Sequence, residues 1–89
     1  MDYYKIIDPA TGNVVNLYST DSSSAVANGT RLLLYTWLDN NDQKWGLDYV
    51  GDLVLMRLAR DTSKVMNRHS GNNNAIVWYY DGTSETQKD

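Results

Sequence analysis

The sequence predicts an all-β fold, and three observations predict it. Short apolar segments alternate with turn clusters from end to end, and no long stretch holds a 3.6-residue apolar period. There are ten Asp and nine Asn against a single glutamate, Glu85; Asp and Asn favour turns, whereas Glu favours helices. The aromatics are seven Tyr and three Trp with no Phe, rings that carry a polar tip and suit half-wet strand positions.

Taken in order, Tyr3-Tyr4-Lys5-Ile6-Ile7 reads as the first strand, stopped by the turn residues Asp8-Pro9-Ala10-Thr11-Gly12. Val14-Val15-Asn16-Leu17-Tyr18 is the second, and the polar stretch from Ser19 to Gly29 reads as a surface loop. A strand over 31–37, a turn at Asp39-Asn40-Asn41-Asp42 and a strand over 43–47 follow. Beyond Gly51-Asp52 the pattern begins again, with strands over 53–58 and 64–67 separated by a turn at Asp61-Thr62-Ser63. A loop at 71–74, a strand over 75–80, a turn at Asp81-Gly82 and the start of a strand at Gln87-Lys88-Asp89 complete the series. Trp45 is expected in the core, with Ile6, Val14, Leu32, Leu34, Leu47, Leu53, Leu55, Val65 and Ile76 as companions.

Eighty-nine residues make one domain, and a chain of this size buries only about 60–65% of its unfolded surface. No cysteine is present, so neither disulfides nor thiolate zinc reinforce the core, and one histidine cannot build a multi-His metal site. His69 reads as a surface-loop residue. A net charge of −3 gives no basic footprint for nucleic acid or an anionic membrane. The longest apolar runs, such as Leu32-Leu33-Leu34-Tyr35, are far below the ~20 residues of a membrane helix, and the opening residues lack the apolar core of a secretory signal. The aspartates and asparagines of 39–42 lack the alternating spacing and terminal Glu of a calcium loop. Asn28-Gly29-Thr30 fits a glycosylation sequon, relevant only to a eukaryotic secretory route. Paired carboxylates, a Ser/His/Asp set and a phosphate loop are all missing from the motifs, so no enzyme and no cofactor is expected.

The two halves carry the same order of parts. Thr11-Gly12-Asn13-Val14-Val15-Asn16 lies over Thr62-Ser63-Lys64-Val65-Met66-Asn67, and Gln43-Lys44 lies over Gln87-Lys88. Each half joins a Val-x-Asn strand, an apolar–aromatic strand (Leu33-Leu34-Tyr35; Ile76-Val77-Trp78) and a closing Gln-x-Trp, complete in Gln43-Lys44-Trp45. This ordered set, met twice, resembles the ricin B-type (R-type) lectins, the β-trefoil carbohydrate-binding modules. Repeat one covers about 3–48 and repeat two about 52–89.

The sequence departs from that pattern at three places: Asp89 stands where the second Trp would be, Asn16 and Asn67 replace the sugar-orienting Asp, and a third repeat is missing. The resemblance implies a β-trefoil-like fold, incomplete at two repeats and completed either by oligomerisation or by further chain. Its open strand edges would invite another chain, so a homo-oligomer is expected; a different small β-barrel, similar to one repeat locally, is the alternative.

The resemblance also implies a sugar site in each repeat. In the first, Asn16 takes the Asp position, Tyr35 or Trp37 is the stacking platform, Asp42 takes the sugar-contacting Asn position, and Gln43 is partly structural. The exchange of Asp for Asn and Asn for Asp would keep one amide and one carboxylate at the rim, the groups that hydrogen-bond hydroxyls. In the second, Asn67, Trp78 or Tyr80, and Gln87 correspond, with Thr86 at the Asn position. The function so implied is a lectin-like module for galactose-type glycans, weak per site and multivalent if oligomeric, with extracellular or cell-surface targets. The alternative is a trefoil whose sugar site has decayed and which serves protein interaction or self-assembly.

Overall fold

A computed structural model describes residues 1–19 and 21–82. Regular structure among them is entirely strand: β1 (Tyr3–Tyr4), β2 (Val14–Leu17), β3 (Leu32–Tyr35), β4 (Trp45–Val50), β5 (Leu53–Leu58), β6 (Asp61–Arg68) and β7 (Ala75–Tyr79). Five strands form an antiparallel sheet in the order β1-β4-β5-β6-β7, and β2 and β3 form a separate hairpin.

Local chemistry explains the connections. The first turn closes where Gly12 donates its N–H to Asp8 O at 2.8 Å, while Asp8's carboxylate takes the N–H of Ala10 and the hydroxyl of Thr11. Gly12 stands there at φ +77, a value that costs a glycine nothing. Gly51 (φ +59) and Asp52 form a two-residue link between β4 and β5, closed by the Val50–Leu53 pair.

Every strand but β5 ends differently from the sequence expectation, β2 and β7 by one residue each. β1 stops at Tyr4, and Ile7 keeps a single bridge to Val14; β3 loses Arg31, which bridges to Ile76, and stops at Tyr35; β4 begins at Trp45 and runs on to Val50. The turn expected at Asp61-Thr62-Ser63 is strand. Asp61 satisfies its turn chemistry with its side chain, accepting the N–H and hydroxyl of Ser63, while its backbone pairs opposite Leu58. The strand expected at 87–89 lies outside the described residues.

The core holds Val14, Leu17, Val26, Trp45, Leu55, Leu58, Val65, Ile76 and Val77. Trp45 is fully buried, as its place in Gln-x-Trp implied. Leu34 is a correction: it is 48% exposed. It shares a hairpin face with Leu17, Leu32 and Val15, which pack on the core, but sits at the end where that hairpin runs past it. Val26 is the converse, a core residue inside the polar loop, its N–H bonded to Asp61 Oδ2 at 3.0 Å.

Both hairpins adopt one register. Val14 pairs with Tyr35 and Asn16 with Leu33; Val65 pairs with Trp78 and Asn67 with Ile76. Each Val-x-Asn strand therefore buries its valine and sets an aromatic ring opposite it, diagonal to the asparagine on the same face.

Candidate functional site

Gln43 is the residue around which the first site is built. It is fully buried; its Oε1 accepts the N–H of Leu38 and its Nε2 donates to the carbonyl of Thr36, both at 2.7 Å. These bonds grip the backbone on either side of Trp37. Gln43 is expected to be partly structural, and both ends of its amide are spent as a brace.

The next residue back, Asp42, is tied to the β2 strand. Its carbonyl accepts the N–H of Leu17 at 2.9 Å, and Asn16 Nδ2 donates to the carbonyl of Leu17 at 2.9 Å. Both polar groups of the Leu17 peptide are thus clasped, which brings Asn16 and Asp42 side by side. Asp42 Oδ1 accepts from Arg60 Nη1 at 3.0 Å. Asn16 Oδ1 and Asp42 Oδ2 have no protein partner among the described residues, so one amide oxygen and one carboxylate oxygen are left to accept hydroxyl protons.

The two candidate aromatics differ in what lies over each ring. Lys5 Nζ stands 4.6 Å from the centroid of half-buried Trp37, a cation–π contact worth about 0.5–1 kcal/mol at exposed sites that a stacking sugar would have to displace. Tyr35 is 49% exposed, with no cation over it among the described residues. The second half repeats the arrangement: Arg57 lies 5.5 Å from the ring of Tyr80, while Trp78 is 40% exposed with no cation over it among the described residues. Asn67 differs from Asn16, because its Oδ1 accepts the N–H of Arg68 at 2.8 Å and the amide nitrogen is what remains. Gln87 and Thr86 lie outside the described residues.

Sequence reasoning passed over Arg60. It reaches from the turn between β5 and β6 to Asp42 and to the Ser19–Thr30 loop, and desolvation, which would lower its pKa, is outweighed by Asp42 and Asp21, so the value is raised. The one available signal was asymmetry: in the overlay of the halves, Arg60 falls on Pro9. Among the described residues no three His, Cys, Asp or Glu side chains gather in a way that could hold a metal ion.

No protein-family model matches the chain, and no curated protein does. Among solved structures, a designed 3-fold symmetric protein, ThreeFoil, is similar at a TM-score of 0.79 and 20% identity, over 96% of this chain. The chain spans 60% of the length of that protein. At this identity the likeness shows the fold alone: all-β, β-trefoil-like and incomplete, with two repeats.

Proposed function

We propose that this chain is a lectin-like carbohydrate-binding module of ricin B type, with its better site in the first repeat. The clasped Leu17 peptide carries the reading. It ties the Asn16 side chain and the Asp42 backbone to the same residue of a hairpin whose exposed ring, Tyr35, shares a face with Asn16. A sugar stacks its C–H face on such a ring and donates hydroxyl protons to amide and carboxylate oxygens. Galactose-type glycans are the ligands the resemblance suggests. So few contacts correspond to millimolar binding, about −4 kcal/mol, which several sites on one assembly would raise by avidity.

Amide-resolved NMR with galactose, lactose and N-acetylgalactosamine tests this. Saturable shifts at Asn16, Tyr35 and Asp42, abolished by Tyr35→Ala and retained in Trp37→Leu, are expected. A dispersed spectrum indifferent to every sugar would overturn it.

A second reading, a self-assembly or protein-interaction module, draws on the end of the sheet. Edge strand β1 carries exposed Tyr3 and Tyr4, with Met1 and Ile7 exposed beside it, and such edges template pairing with another chain. Light scattering across concentration tests that reading: mass above one chain supports it, and 89 residues' worth at every concentration removes it.

A further inference from the structure

Next to the Asn16–Asp42 patch lies a cleft of about 150 Å³ between the Ser19–Thr30 loop and Arg60. Leu17, Ala25, Val26 and Ala27 supply an apolar wall, and Asp21 and Arg60 supply charge. The Arg60 side chain is only 10% exposed, and its donors can be counted. Nη1 donates to Ser19 Oγ at 2.7 Å and to Asp42 Oδ1 at 3.0 Å, Nε to the carbonyl of Ser23, and Nη2 to Asp21 Oδ1. A guanidinium has five N–H donors; the fifth has no partner among the described residues. Asp21 is in the same position as an acceptor. Its Oδ1 takes Arg60 and the N–H of Ser23, while Oδ2 has no protein partner among the described residues, and its side chain is 70% exposed.

The charge balance selects what the cleft can take. Arg60, the one cation lining the cleft among the described residues, is already matched by two carboxylates, so an anion there would meet Asp21 with no unpaired lining cation to receive it. A metal ion would find no group of three His, Cys, Asp or Glu side chains among the described residues. A neutral polyol fits both requirements, since one hydroxyl donates to Asp21 Oδ2 and another accepts the remaining N–H of Arg60 while the ring rests on the alanines. The volume is below the roughly 300 Å³ at which drug-sized pockets begin, so there is room for one ring.

We propose that this cleft is a second saccharide subsite, joined to the Asn16–Asp42 patch through the Arg60–Asp42 ion pair, so that the ligand is an oligosaccharide with one ring on the patch and its neighbour in the cleft. The proposal rests on the carbohydrate reading above and adds the length of the ligand to it.

The test is to titrate galactose, lactose and melibiose into the wild type and into Ala27→Trp, which fills the cleft from an exposed position, following amide shifts. At least one disaccharide should bind tenfold or more tighter than galactose and shift Ala25, Ala27 and Thr30, which galactose alone leaves still. Ala27→Trp should remove that gain and leave galactose binding as it was. If Ala27→Trp does not fold, Asp21→Asn takes its place and should cut the gain at least threefold. Galactose and both disaccharides binding alike, or a gain that survives filling the cleft, would overturn the subsite and leave the lectin reading standing. No binding of any sugar would remove both.

Discussion

Replacing Gln43 tests the brace on which the site depends. Gln43→Leu keeps most of the volume and removes two hydrogen bonds of 2.7 Å. At about 1 kcal/mol net each the loss is about 2 kcal/mol. The stranded Thr36 carbonyl and Leu38 N–H belong to exposed residues, so water can reach them and the total stays near 2–3 kcal/mol. Gln43→Glu separates donor from acceptor. Its carboxylate can still accept from Leu38 but faces the Thr36 carbonyl with nothing to donate, and it is charged where Gln43 has no solvent exposure. An uncompensated buried charge costs about 3–5 kcal/mol. Protonated, the same side chain donates to Thr36 and the brace returns.

Burial raises the folded-state pKa of that glutamate, so its penalty is absent below the unfolded value near 4.3 and develops as pH rises. At 1.36 kcal/mol per pH unit, a deficit of this size accumulates over about 2–4 units. Urea unfolding at pH 4 and pH 7.5, with the wild type measured beside it at each, reads the difference. A domain of this length holds about 5–13 kcal/mol, enough for both variants to be measured. An equal deficit for Gln43→Glu at both pH values, or a Gln43→Leu variant within 0.5 kcal/mol of the wild type, would refute the brace.

Trp45 is buried with an indole N–H that finds no partner among the described residues. Trp45→Phe therefore trades lost volume against relief of that group and should cost about 1–2 kcal/mol, well below the about 3–5 kcal/mol of Trp45→Ala in the same urea series. Leu34→Ser, at a residue the sequence pattern assigns to the core, should stay within about 0.5 kcal/mol of the wild type; a loss above 2 would restore it to the core. Acid should loosen the Ser19–Thr30 loop. Asp21 is held below the usual carboxylate range by the N–H of Ser23 and by Arg60; at Asp61 burial acts upward but is outweighed by Ser63, Val26 and Lys64. Both contribute stability that is present above about pH 3.9 and lost as pH falls through their lower folded values. The Val26 amide should follow the Asp61 titration in that range by NMR, and a Val26 signal that stays put would contradict the bond.

What the sequence disclosed divides by range. β5 at Leu53–Leu58, the turn at Asp8–Gly12 and the burial of Trp45 rest on local alternation, turn chemistry and one three-residue motif, and all were readable. Val26 and Arg60 were not, because what fixes them lies far along the chain. The partner of Val26 is 35 residues away, and Arg60 draws together groups 18 to 41 residues distant. The platform was undecidable for a related reason. Tyr35 and Trp37 lie two residues apart and satisfy the same alternation, and what distinguishes them is their exposure and Lys5, which comes from the far side of the first turn.

Register explains how two halves of low identity reach the same arrangement. Side chains alternate along a strand with period two, so a slip of one residue would turn Val14 or Val65 to solvent and carry the opposing ring to the other face. A valine, an asparagine two residues on and an aromatic across the hairpin suffice to hold that register, and the remaining positions are free to differ. They do differ around the two asparagines. Among the described residues, Asn16 has no partner for its amide oxygen and Asn67 none for its amide nitrogen. Arg57 beside Tyr80 is bonded to Asp48 at 2.8 Å, whereas Lys5 beside Trp37 has no carboxylate partner among the described residues. The strand pairing thus repeats the placement of the ring, and the residues it leaves unconstrained give each copy its own surroundings.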